Sequence, residues 1–471
     1  MKKKRRERET GRGSIANQAI RCFLVLVLCA YSLFVHPNPV KAQGFDCSAY
    51  GSIGLSVVDT KSKTVLFSCH SDSAYAPASL TKLLTALTVL DVLKPTQEIT
   101  VTKGMLDTVP ANSSLAYLKA GEVMSVEKLL YAMLIPSGND AARVLAISAG
   151  RVMLDDKDAA SQTALAAFVE AMNLKAKDLG VQNSLFLNPD GFPAPGMVTT
   201  ADDMILIALA AKENKLIEKV TATSQVILKS SSATHTYSTT NKLLIQSYNE
   251  GGISIKSPYY DERVTGMKTG NGGSTDGRML VFSAQDSDLS IVGVLLHVQE
   301  EKLNSTVFAY ASQLIDYAFD HYVTLELPQE GDKELIVQVQ NAHVFLSKDL
   351  QLVSGDLQYI SVDKALLADL AVSEESLAGD YGKTSGLTLA DDISTGDAVL
   401  VRTYQSGDTI VCKVTYYAKS DMNVLRVGDY LMAASPLLVL AVLFLTGRKQ
   451  LQLLYLKRKL EQKAGQETMP S

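Results

Sequence analysis

The chain has 471 residues, a length that suits two or three domains better than a single core. Its formal net charge of −5, with 46% hydrophobic residues and no tryptophan, is ordinary for a globular protein and argues against a nucleic-acid partner. No low-complexity tract or internal repeat stands out.

The first segment in chain order reads as an export signal, predicted over 1–42. A basic stretch, "MKKKRRERETGRGSIANQAIR", precedes an apolar run from Cys22 to Val35 that is short for a membrane span, and Val40 and Ala42 frame a cleavage point after Ala42. A domain predicted over 43–322 opens with two alternating strands between Ser52 and His70. Long helical patterns follow from Ser79 to Leu93, Ser125 to Ala149, Ala160 to Leu179 and Ala201 to Ala211. Strands return at "GRMLVFSA" and "LSIVGVLLHV", and a helix is predicted near Asn304 to Phe319. Strands, then helices, then strands predict an α+β domain with one antiparallel sheet backed by helices from mid-chain.

Short β-like runs such as "KELIVQVQ" and "TIVCKVTYYA" then predict a small all-β domain over 323–419. The uncharged segment 430–447, at ~1.5 Å per residue, nearly matches a ~30 Å hydrocarbon core and is predicted to be a transmembrane helix. The basic tail 448–471 marks the cytoplasmic side of that span. Cys47, Cys69 and Cys412 remain once the signal is removed. Cys47 and Cys69 flank the first hairpin, but counting back from its turn does not place them opposite one another, so their spacing leaves a disulfide open.

Chemistry is suggested first by "PASLTKLLTAL", where Ser79 stands three residues before Lys82 in apolar surroundings. On a helix the two share a face. An ammonium in apolar surroundings must be paired or give up its proton, so Lys82 is either at a surface or in a site, where a desolvated amine could take the Ser79 proton. The same spacing at Ser125 reads as a helix N-cap and at Ser361 as ordinary surface. Ser137 and Asn139, in "PSGNDAA", lie in a short polar break between two helical patterns, and Lys268, Thr269 and Gly270 lie in an edge-strand setting in "VTGMKTGNGG". The six histidines are scattered without a metal-type pairing, and no phosphate-binding loop or Gly-x-Ser-x-Gly elbow is present, so no metal or cofactor is implied.

Ser-x-x-Lys, Ser-x-Asn and Lys-Thr-Gly in this order form the signature of penicillin-binding proteins and class A β-lactamases. Together with "LLYAMLIPSGNDAA", "FVEAMNLKAKDLGV", "TTADD", "TTNKLL" and "GMKTG", the stretch from Ser52 to about Tyr322 resembles the D-alanyl-D-alanine carboxypeptidases, the low-molecular-mass penicillin-binding proteins of the cell wall. The β-rich region and membrane anchor downstream are similar to that family's usual extension. The resemblance implies a penicillin-binding/β-lactamase-like fold on the outer side of the cell membrane. It also implies a serine-type carboxypeptidase that removes the terminal D-alanine from peptidoglycan stem pentapeptides and is acylated by β-lactams.

Residue by residue, the resemblance implies Ser79 as nucleophile and Lys82 as its general base. Ser137 would relay a proton toward the leaving amine, aided by Lys82 or Lys268, and Asn139 would hold the Lys82 amine or the substrate amide. Lys268 and Thr269 would receive the substrate carboxylate, Gly270 would let the strand approach it, and the backbone N–H groups of Ser79 and Asn271 would form the oxyanion hole. Three departures stand out: a glycine-rich run after Lys-Thr-Gly, expected to loosen the cleft edge; a long segment before "FVEAMN"; and no histidine ahead of "TTADD". A β-lactamase would need a carboxylate to activate water, and the loop from Asn183 to Thr200 offers only Asp190.

Overall fold

The computed structural model describes residues 45–250, 253–300, 306–327, 333–342, 349–355, 358–382, 386–407, 409–424 and a few positions between 444 and 452. The predicted signal, the predicted span except Phe444 and Leu445, and most of the basic tail lie outside the described residues. Among the described residues no helix is long and apolar enough to cross a membrane. The chain divides into two compact units, one running to Leu325 and including Tyr359–Ala365, the other formed by Glu326–Gln358 and the residues from Leu366 onward.

The first unit has the expected α+β arrangement. Strands β1 (Gly54–Asp59) and β2 (Val65–Cys69) form the opening hairpin. With β5 (Val264–Asn271), β6 (Arg278–Gln285) and β7 (Ser290–Val298) they build a five-stranded antiparallel sheet of order β2-β1-β7-β6-β5. Successive side chains point to opposite faces. Met279, Val281, Val292 and Val294 therefore pack into the helical layer, while Leu280, Phe282 and Leu295 pack with Leu314 and Ile315 of the helix Thr306–His321. Burial on both faces explains why β6 and β7 read as nearly unbroken apolar runs.

The helical layer comprises α1 (Thr81–Val92), α2 (Val126–Leu134), α3 (Asn139–Met153), α4 (Ser161–Asp178) and α5 (Ala201–Glu213). Every residue of α1 from Thr81 to Val89 is buried, so this helix is enclosed on all sides. The Ser125 hydroxyl accepts from the Lys128 N–H and caps α2, as expected of that Ser-x-x-Lys copy. The predicted stretch from Ser125 to Ala149 is two helices, separated by Ile135 to Gly138, with Pro136 in the break. A further hairpin, β3 (Gln225–Lys229) and β4 (Thr234–Ser238), follows α5.

One local expectation changes and one open pairing is decided. Ser361 is not ordinary surface: its hydroxyl donates to Asp59 at 2.7 Å and lies 2.6 Å from the Ser62 hydroxyl, while Thr324 donates to the same carboxylate at 2.8 Å. Asp59 is fully buried, and these hydroxyls satisfy it. Cys47 and Cys69 are joined in a disulfide with a Cα–Cα distance of 5.8 Å. Cys47 lies in a short 3-10 turn ahead of β1, not on a strand of the hairpin, which is why counting across the hairpin could not pair it.

The second unit contains a five-stranded antiparallel sheet ordered Glu334–Gln338, Asp349–Ser354, Thr409–Ala418, Ala398–Ser406, Leu370–Ser376. Leu350, Leu352, Val399 and Tyr416 are fully buried in it. A two-stranded hairpin, Gly379–Gly382 with Gly386–Leu389, adds to the unit.

Candidate active site

Ser79 sits in a 3-10 turn, Ala78–Leu80, with Pro77 at its N-cap; the α-helix proper starts two residues later than its apolar pattern suggests. Ala78 has φ 44°, the left-handed region unusual for a residue with a side chain. Lys82 lies in the first turn of the α-helix that continues this 3-10 turn, so the i and i+3 side chains stay on one face and the Lys82 Nζ lies 2.8 Å from the Ser79 hydroxyl.

Lys82 is completely buried. Its Nζ also donates to Asn139 Oδ1 at 2.8 Å and to the Asp190 carbonyl at 2.6 Å, so every donor of the amine has an acceptor. Burial pushes the amine down to about 8; the charges of Asp190 and Asp140 oppose this, and that of Arg143 adds to it.

The break between α2 and α3 delivers Ser137 and Asn139. Asp140, buried at the start of α3, accepts from the N–H groups of Ala116 at 2.8 Å, Leu118 at 3.0 Å and Ala141 at 2.9 Å, which pins the break to the preceding loop. Ser137 adopts φ 65°, and its hydroxyl accepts from Lys268 Nζ at 2.9 Å. Of the two partners open for each residue, the structure brings Asn139 to the Lys82 amine and Ser137 to Lys268.

Lys268 is 1% exposed on edge strand β5, opposite Val281 of β6. Burial, followed by the nearby Lys82 charge, holds its amine well below the ordinary lysine range. The Thr269 hydroxyl meets that of Thr240, from "TTNKLL", at 2.5 Å. The glycine-rich run does not loosen this edge. Asn271 pairs with Arg278, its Oδ1 accepts from the Gly273 N–H at 3.0 Å, and the Gly272 N–H donates to the Gly277 carbonyl at 2.8 Å.

Sequence reasoning missed the support beneath Lys82. The Asp190 carboxylate, fully buried, accepts from Arg143 Nε at 2.5 Å and from the Phe192 N–H at 3.1 Å, leaving its backbone carbonyl for Lys82. Asn188 Oδ1 accepts from the N–H groups of Gly191 and Phe192 and closes this turn. Gly191 has φ +73°, and a Cβ there would lie 1.8 Å from the Ala78 carbonyl oxygen and 2.9 Å from the Ser79 nitrogen. Only glycine permits that approach. The available signals were the turn-forming "NPDG" and a lone arginine within an apolar helix.

Residues 51–300 match the peptidase S11 family, described as D-alanyl-D-alanine carboxypeptidase. The D-alanyl-D-alanine carboxypeptidase DacC of Escherichia coli (strain K12) is 30% identical over 358 residues, covering 74% of this chain and 79% of that protein. A D-alanyl-D-alanine carboxypeptidase of Streptomyces sp. (strain K15) is 30% identical over 256 residues, covering 52% of this chain and 80% of its own. The crystal structure of the D-alanyl-D-alanine carboxypeptidase DacD from Francisella tularensis shares the fold, with TM-score 0.59 at 20% identity over 84% of this chain and 98% of that one.

Proposed function

The chain belongs to the D-alanyl-D-alanine carboxypeptidase family, and on that premise we propose that it releases the terminal D-alanine of peptidoglycan stem pentapeptides through an acyl-enzyme on Ser79. The observation that carries this is the 2.8 Å contact between the Ser79 hydroxyl and a completely buried Lys82 amine lowered to about 8. In its neutral form Lys82 takes the Ser79 proton as Oγ bonds to the carbonyl carbon of the penultimate D-alanine. The charge that moves to the carbonyl oxygen is met by the backbone N–H groups of Ser79 and Asn271; losing one such donor typically costs ~10²- to 10³-fold in rate. The peptide bond then breaks, and D-alanine leaves with a proton relayed through Ser137 from Lys268. Water repeats the sequence in reverse and frees Ser79.

Lys268 and Thr269 receive the substrate carboxylate. Its charge favours protonated Lys268, and a protonated Lys268 disfavours protonated Lys82 by like-charge repulsion, so substrate binding itself biases Lys82 toward the free amine. β-Lactams present a strained carbonyl to the same serine and leave a penicilloyl ester. The engagement of Asp190 with Arg143 weighs against the β-lactamase alternative, because the only acid in that loop is already paired. The enzyme works on the cell wall, outside the cytoplasm. Export by residues 1–42, a catalytic domain over 43–322, a β domain over 323–419 and a single span at 430–447 with a cytoplasmic tail are supported by the charge and hydropathy pattern.

The test is D-alanine release from a synthetic stem pentapeptide by the parent protein and by Ser79→Ala, with intact mass recorded after penicillin. Release and one penicilloyl adduct in the parent, both lost in the variant, are expected. Folded parent protein giving neither, or a variant that still releases D-alanine, would overturn the assignment.

A further inference from the structure

Next to Ser79, at the end of β5 beyond Asn271, lies a cavity of about 670 Å³ whose lining includes Ala78, Gly191 and Gly272. Its walls are largely apolar, formed by Tyr75 from the segment before Ser79 and by Pro193, Met197 and Val198 from the "NPDGFPAPGMV" stretch that departs from the family pattern. Two of its polar groups are already engaged: the Tyr75 hydroxyl donates to the Ser52 carbonyl at 2.7 Å, and His297, stacked on Tyr75, has its Nε2 3.3 Å from the Gln299 side-chain nitrogen. Asp276 is different. Its carboxylate carries no hydrogen bond or ion pair among the described residues, and no other acidic residue lines the cavity.

The second departure from the family pattern explains how Asp276 gets there. A Cβ at Gly272 would lie 2.4 Å from the Asp276 Cβ, so only a glycine at the end of the strand lets this residue fold back onto it. The turn is then closed by the Gly272 to Gly277 hydrogen bond. Two sequence features that look like loosened family motifs thus meet in one cavity and furnish it with an unpaired negative charge.

The direction of the substrate follows from the proposed chemistry, on which this inference rests. With the terminal carboxylate at Lys268 and Thr269, a peptide added antiparallel along the free edge of β5 runs its preceding residues toward Asn271 and Gly272. At ~3.3 Å per residue, the residue before D-Ala-D-Ala arrives at the mouth of the cavity. We propose that this cavity receives the side chain of that residue and selects one that ends in an ammonium, its methylenes lying against Tyr75, Pro193 and Met197 and its charge paired with Asp276.

The experiment compares D-alanine release by the parent protein from two synthetic peptides, acetyl-L-Lys-D-Ala-D-Ala with a free side-chain amine and the same peptide with that amine acetylated. The free amine is expected to give about tenfold higher kcat/KM, most of it in KM. Asp276→Asn should bring the ratio to about one, and Asp276→Lys should invert it, with penicilloyl adduct formation reporting that each variant is folded and its serine reactive. A ratio of one in the parent, or an undiminished ratio in Asp276→Asn, would overturn the inference and leave the carboxypeptidase assignment standing. Release from neither peptide by parent protein that still forms the adduct would sink that assignment, and this inference with it.

Discussion

Raising the pH from about 6 to about 9 is expected to switch on the serine through one titration, that of Lys82. Its amine sits at about 8 because it is completely buried. At pH 7 about one tenth of such an amine is free base, against about one in 3,000 for a solvated lysine, so burial supplies roughly 300-fold more reactive enzyme. The sign is set by the role: a base must be unprotonated, so acylation rises about tenfold per pH unit below 7 and levels off above about 9. The rate of penicilloyl adduct formation, followed by intact mass, measures this step without involving hydrolysis. Lys82→Arg, which cannot give up its proton, should form no adduct at any pH. A rate that is flat across this range, or one that still climbs tenfold per unit through about pH 10, would refute the assignment of Lys82 as a desolvated base.

Other outcomes follow from the support around the site. Arg143→Ala strips a buried carboxylate of its partner and should cost about 3–5 kcal/mol in urea unfolding, and Arg143→Ala with Asp190→Ala should recover part of that loss. Gly191→Ala forces a Cβ into the Ala78 carbonyl and displaces Ser79; acylation should fall by about 10²-fold in protein that still shows a cooperative melt. Reduction of the Cys47–Cys69 disulfide, which closes a sequence separation of 22, should lower stability by about 3 kcal/mol, read as a drop in Tm on adding reductant. Thr240→Val removes the hydroxyl partner of Thr269 and should raise KM for the peptide by about two- to tenfold, with little change in kcat.

What was legible in the sequence is what depends on neighbours along the chain. Periodicity placed α1, α4 and α5 and strands β6 and β7, and the i, i+3 spacing put Ser79 beside Lys82, because side-chain direction within one helix or strand is set by backbone geometry alone. Three short motifs in the right order pointed to the remaining site residues, although the partner each side chain chose was still open. The choice between Lys82 and Lys268 as neighbour of Ser137, the Asp190 carbonyl that receives the Lys82 amine, the closeness of Gly191 to Ser79, the Cys47–Cys69 bridge and the unpaired Asp276 were decided only by tertiary structure. The contacts among these join segments separated in the chain, 108 residues in the case of Lys82 and Asp190. A lysine becomes a base when water is excluded from its amine, and the groups that hold the buried amine here come from a different turn and a different helix.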